Sequence, residues 1–196
     1  NSDMPLEPEE KAEFIDLITK NSDLLLKLIN DILDLSRIES GSMSFSYENL
    51  DLSKLMGDIF HTHQLMMPEG VELKIRVPHE PLIIRSDHFR LTQVCTNFTA
   101  KGYIEIGYEL SADGKSILIS VKDTGKGIPD DKKEKVFERF QKLDEFAQGT
   151  GLGLAICQSI VHTFHGSISL ESEVGVGSKF TISLPYTPGL ELEERT

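Results

Sequence analysis

Little in this 196-residue chain could build a crosslink or a metal site. Its two cysteines, Cys95 and Cys157, fall in apolar helical surroundings, with no CxxC and no Cys/His cluster. That speaks against zinc and a disulfide framework and for two buried, reduced thiols of the kind found in a cytoplasmic protein. Long apolar runs are missing too. None approaches the roughly 20 residues of a membrane span, and the N-terminus does not read as a signal peptide. No membrane contact is expected of this fragment, although a parent protein could be anchored elsewhere. Positive charge is scarce, with 20 Lys and Arg against 32 Asp and Glu for a net charge of −12. A nucleic-acid surface or an anionic-lipid surface needs clustered cations, so neither is expected. A phosphate ligand would have to be held by local groups, because long-range attraction is absent.

What is present begins with a long helix over residues 8–40. Pro8 suits a first turn, Glu9 and Glu10 suit its positive end, and Gly41 suits its stop. Phe14, Ile18, Asn21, Leu25, Leu28, Ile32 and Leu35 step alternately by four and three, a coiled-coil-like seam with one Asn in it. Leu24, Leu26, Ile29 and Leu33 widen the stripe toward that of a four-helix bundle. The helix therefore expects partner helices; packing on its own domain is the alternative.

After Gly41 the texture becomes α+β. Helices are expected over 52–66, 87–98 and 152–165. Strands are expected at the end of SMSFSYENLDL and over 71–77, 82–85, 103–110, 116–122, 167–172 and 179–185, with a Gly turn in SADGKS closing a hairpin. The expected organisation is a helical segment 1–41, an α+β domain 42–187 and a polar tail 188–196.

Three stretches carry chemistry, in this order: the helix RLTQVCTNF, then DTGKGIP, then GTGLGLAI. A carboxylate at a strand end, here Asp123, can accept from the exocyclic amine of adenine, where guanine presents an oxygen. Gly125 and Gly127 would let a flat base approach the backbone, although such a turn is by itself more often only a turn. Gly149, Gly151 and Gly153 lead directly into a helix, whose N-terminal N–H groups favour a polyphosphate. The pattern is neither the P-loop nor a Rossmann turn.

Together these stretches resemble the ATP-binding domain of sensor histidine kinases, a relative of type II topoisomerases, mismatch-repair ATPases and the ninety-kilodalton heat-shock chaperones. RLTQVCTN resembles the start of the Asn box, DTGKGIP the first glycine box, VFERF the Phe box and GTGLGLAI the second glycine box. LINDILDLSRIESGSM resembles the end of the second helix of the kinase dimerisation hairpin, which the topoisomerases and chaperones lack. FERFQKLDEFAQGTGLGL is similar to kinases of the hybrid type. The resemblance implies a two-layer α/β sandwich preceded by one long helix. It implies ATP and Mg²⁺ as cofactors, a homodimer through helix 8–40, and a response-regulator receiver domain as partner. It assigns ATP binding to Asn97, Asp123, Gly125, Gly127, Ile128, Phe140, Thr150, Gly151, Leu152, Gly153 and Leu154. Phe137 and Phe140 would lie in a lid reaching to Gln148, for which core packing is the plainer reading. Arg139 and Lys142 stand where cations could meet phosphates or only solvent.

Two parts of the pattern are missing. No histidine has the phosphoacceptor context, so the acceptor is expected on a helix outside this chain, and His61, His63, His88, His162 and His165 read as ordinary. The Asn box keeps Asn97 but lacks its later, Mg²⁺-ligating Asn with the Lys and aromatic after it; Lys101 stands four residues past Asn97. A helix over 87–98 spans roughly 18 Å, whereas the strand over 103–110 needs about 26 Å. About seven residues are short. Either those turns are lost, leaving a non-catalytic nucleotide-binding or dimerisation module, or the printed sequence omits residues the protein has. The intact motifs on both sides favour omission.

Overall fold

The structure is a computed structural model that describes residues 7–65, 67, 71–97, 104–141 and 149–186. The join at 98–103, Lys142 with the rest of the expected lid, and the tail 188–196 lie outside the described residues.

Helix α1 runs Pro8–Glu39. It starts where the sequence marks it: Pro8 takes the first turn, and Glu7 and Glu10 form a reciprocal capping box. Strand β1 (Glu48–Asp51) pairs antiparallel with β3 (Ile83–Ser86) as a separate two-stranded ribbon. Between them lie α2 (Leu52–Gln64) and β2 (Leu73–Arg76). Asp51 caps α2 by accepting from the Ser53 and Lys54 N–H groups. Helix α3 (His88–Thr96) is capped by Asp87, which accepts from the Arg90 N–H at 2.8 Å.

The main sheet has the order β2-β4-β5-β7-β6, where β4 is Ile104–Leu110, β5 Ser116–Asp123, β6 Ser167–Glu173 and β7 Gly177–Pro185. Only β2–β4 is parallel; the other pairs are antiparallel, as the Gly turn and the alternation predicted. Helix α4 (Gly153–Thr163) completes the helical layer with α2 and α3.

Alternation decides what faces that layer. Ile117, Ile119 and Val121 of β5 are buried, beside Ile106 and Tyr108 of β4 and Phe180, Ile182 and Leu184 of β7. Leu91 and Val94 of α3 and Ile156, Cys157 and Ile160 of α4 are buried in the same core. Strands with period two put every second residue on one face, so the next inward position of β5 is Asp123. The core stripe of the central strand therefore ends on a carboxylate.

Helix α1 is split between its faces. Phe14, Ile15, Ile18, Leu25, Ile29 and Ile32 are exposed, as a helix awaiting partners requires. Leu28, Leu35 and Ile38 instead pack against the core of the domain, so two positions of the expected seam are turned inward. Asp31 and Asp34 share that inward face and are buried at 5% and 9% exposure.

Candidate functional site

Asp123 closes β5 with Ile104 of β4 and Ser178 of β7 as its lateral neighbours. It is 6% exposed. Its Oδ1 accepts from the Gly125 N–H at 2.7 Å, which turns the chain sharply away from the strand. Burial raises the Asp123 carboxyl above its ordinary value, and hydrogen bonds from the Gly125 and Ser178 N–H groups partly oppose that shift. A buried carboxylate with backbone support suits an exocyclic amine better than it suits water.

The loop after Asp123 is fixed by the β6–β7 hairpin. The Ile128 N–H donates to Ser172 Oγ at 2.8 Å, and Ser172 Oγ also meets Gly177 O and Ser178 Oγ, each at 2.9 Å. The Gly175 N–H donates to Lys126 O. Gly127 has φ +69°, and a Cβ there would stand 2.0 Å from Glu173 O. The sequence suggested that this glycine clears space for a base; the space is taken by the hairpin backbone. Ile128 is buried in the core.

The second glycine stretch turns into α4. Thr150 is the pivot, since its Oγ accepts from the Leu152 N–H at 3.2 Å and its hydroxyl donates to Asp31 Oδ2 at 2.5 Å. Leu152 is fully buried and holds the helix start to the core. Gly151 has φ +72°, and a Cβ there would stand 2.8 Å from the Phe140 carbonyl carbon. Phe140 itself has φ +63° with its side chain 64% exposed, so its backbone rather than its ring covers the turn. Gly153 faces the side chain of Asn97, 3.4 Å from where its Cβ would be. Leu154 packs at the edge of the core.

Asn97 is the C-terminal residue of α3, and its Nδ2 donates to Cys157 Sγ at 3.4 Å. It thus links α3 to the first turns of α4. Burial pushes Cys95 and Cys157 up to about 12, which makes both inert thiols. Phe137 meets Phe180 edge to face and is a packing residue. Arg139 pairs with Glu39 at the end of α1. Among the described residues, no three His, Cys, Asp or Glu side chains form a group able to hold a metal ion. The Asn97 amide is already engaged, so these residues do not fit a protein-held Mg²⁺.

The sequence reading missed the residues that tie α1 to this region. Arg90 Nη1 donates to both oxygens of Asp34 at 3.0 Å and to Gln93 Oε1, and Gln93 Nε2 donates to Asp34 Oδ2 at 2.8 Å. The available signal was spacing: Leu28, Asp31, Leu35 and Ile38 recur at helical period, placing an acid on an otherwise apolar face.

The family described as histidine kinase-, DNA gyrase B- and HSP90-like ATPase matches residues 87–188, which spans α3 through β7. The chain belongs to this family. Residues 2–41 match the His Kinase A (phospho-acceptor) domain, which sets the chain among the sensor histidine kinases rather than the gyrases or chaperones. It is 35% identical over 195 residues to hybrid signal transduction histidine kinase L of Dictyostelium discoideum, covering 91% of this chain and 11% of that protein. It is 34% identical over 191 residues to sensor histidine kinase RcsC of Escherichia coli, covering 91% of this chain and 20% of that protein. Among solved structures, full-length ShkA in complex with AMPPNP is similar at TM-score 0.77 and 28% identity, over 94% of this chain and 40% of ShkA. The chain thus spans a fifth or less of both curated relatives. No helix among the described residues is long and apolar enough to cross a membrane.

Proposed function

We propose that this chain is the ATP-binding catalytic part of a two-component histidine kinase. It would bind ATP between Asp123 and the turn at Thr150–Leu154, and a homodimer would form through the outer face of α1. Asp123 carries this reading: it is the one carboxylate that the alternation of β5 drives into the core, at a strand end where N–H groups keep it oriented. The resemblance to an AMPPNP-bound kinase supports the nucleotide. Asp123 holds the adenine amine, with Asn97, Gly125, Gly127, Ile128 and Phe140 around the nucleotide. The freed N–H groups at the start of α4 meet the phosphates, with Thr150, Gly151, Leu152, Gly153 and Leu154 shaping that turn.

The reaction is attack of a neutral imidazole nitrogen on the γ-phosphorus. The β–γ bridging P–O bond breaks, ADP leaves, and the imidazole gives up its proton. Mg²⁺ supplies charge neutralisation on the phosphates when it arrives with the nucleotide, and no residue described here is assigned to it. The acceptor is a histidine on the other helix of the dimerisation hairpin, and onward transfer goes to an Asp of a response-regulator receiver domain. The six histidines of this chain are not assigned that role; His162 and His165 lie at the far end of α4 from Thr150.

Calorimetry tests the reading first, with ATP binding expected in the low-micromolar to millimolar range on the order of ordinary nucleotide sites. Radiolabelled γ-phosphate should then appear, in an acid-labile form, on protein that carries both hairpin helices. An intact mass matching 21.9 kDa together with no ATP binding would sink the kinase reading and favour the non-catalytic module, whose one support is the early end of α3 at Thr96.

A further inference from the structure

The inward face of α1 puts a carboxylate where the proposed function puts phosphate. Asp31 is 5% exposed, and its Oδ2 accepts from the hydroxyl of Thr150, whose oxygen in turn accepts from the N–H of Leu152, the residue that begins α4. The negative charge is therefore joined through one hydroxyl to the N-terminal turn of the helix. A helix N-terminus favours an anion, and its first N–H groups have no partner within the helix. The field of Asp31 also reaches Cys157, four residues into α4, as does that of Lys27 one turn earlier on α1. Both charged groups of α1 thus lie over the start of α4.

The docking is not confined to this contact. Asp34 is held by Arg90 and Gln93 of α3, and Glu39 by Arg139, so acids on three successive turns of α1 grip the same side of the domain. Over the turn itself, the Phe140 backbone lies against Gly151. Two of these partners, Thr150 and Arg139, stand on the stretches to which the nucleotide reading assigns phosphate contacts.

We propose that the Asp31 carboxylate occupies the phosphate position at the N-terminus of α4, so that docking of α1 and binding of a nucleoside triphosphate's phosphate chain exclude one another. The proposal rests on the ATP-binding reading above. It makes α1 a competitive intramolecular occupant of the site. ATP releases the helix, and the docked helix weakens ATP without touching the adenine end.

The test separates base from phosphate. Affinities for adenosine and for ATP are measured by calorimetry on the wild-type chain, on Asp31→Asn and on Asp31→Ala. Asn keeps an acceptor for the Thr150 hydroxyl but removes the charge. Both variants are expected to bind ATP on the order of tenfold more tightly, through loss of a like charge beside the phosphates, with adenosine unchanged. Spin labels at Lys20→Cys and Lys122→Cys read the helix position, because buried Cys95 and Cys157 do not label. Their distance should change with ATP and stay fixed with adenosine. If adenosine and ATP bind but the variants leave the ratio of their affinities unaltered, or if ATP leaves the label distance fixed, Asp31 is only a docking residue and the proposal fails. Should neither ligand bind any variant, the nucleotide reading itself falls and takes the proposal with it.

Discussion

The two ends of the candidate site are held in different ways. The Asp123 end is built wholly from the α+β domain, with the loop 124–128 pinned to the β6–β7 hairpin by Ser172, by Gly175 and by the close approach at Gly127. The Thr150 end is pinned to α1, a helix that otherwise touches the domain only along one stripe. One end is therefore as stable as the fold. The other is as stable as the docking of a helix whose exposed apolar face has business elsewhere. Recognition of a base can be permanent while recognition of phosphates is conditional, and a signal that moves α1 has only the second to act on.

The sharpest way to break this contrast is to undo the docking without touching the domain. Asp34→Ala leaves the Arg90 guanidinium buried with Gln93 alone. Removing one partner of a buried pair costs about 3–5 kcal/mol when the other cannot escape. Here α1 can leave, so that cost is expected as undocking. The distance distribution between labels at residues 20 and 122 should broaden, while the thermal transition of the domain moves little. A lowered melting temperature with α1 still in place would show that the helix is part of the domain's own stability and would erase the distinction between the ends.

The converse change strikes the other end. Gly127→Ala places a Cβ 2.0 Å from Glu173 O at a residue with φ +69°. Left-handed backbone costs a non-glycine residue about 1–2 kcal/mol, and overpacking adds about 1–3 kcal/mol. The melting temperature should fall by several degrees, about 2–4 °C per kcal/mol in a chain of this size. The label distance should not change. If Gly127→Ala folded with undiminished stability but lost adenosine, the glycine would be serving the base directly, as the sequence first suggested.

That glycine illustrates what was legible and what was not. Element order, the hairpin turn at Gly114 and the placement of Asp123 at a strand end all follow from local pattern. Alternation from Ile104 to Asp123 allows only one inward face, and Asp51, Asp87 and Glu7 mark helix starts by the hydrogen bonds they make. Helix and strand ends fell within two or three residues of expectation. What could not be read was any pairing set by distant sequence. Thr150 and Asp31 are 119 residues apart, and Arg90 and Asp34 are 56 apart. The seam on α1 was real as a periodicity, but Leu28 and Leu35 satisfy a helix partner and a domain surface equally well. Only the acids between them, which a bundle core would refuse, point to the domain. The parallel pairing of β2 with β4 is likewise a crossover that no local signal specifies.

The smallest expected effect is also the most telling about Asp123. Its carboxyl is raised by burial, so the folded protein holds that proton more tightly than the unfolded chain does. A raised carboxyl contributes stability fully below the unfolded value, near about 3.9, and loses it as pH rises through the folded value. At neutral pH the ionised Asp123 is thus a net cost to the fold, kept within bounds by the Gly125 and Ser178 N–H groups. Asp123→Asn removes the charge and keeps an acceptor. At pH 7 the ligand-free variant should melt at the same temperature as the wild type or slightly above it, and the difference should close as the pH falls toward 4. ATP and adenosine should both weaken by about tenfold or more, since the amide can present N–H to the adenine amine. A residue whose replacement helps the fold and harms the ligand is there for the ligand. A variant that melts lower at pH 7, with nucleotide affinity intact, would reduce Asp123 to a structural anchor and leave the rigid end of the site without a base to recognise.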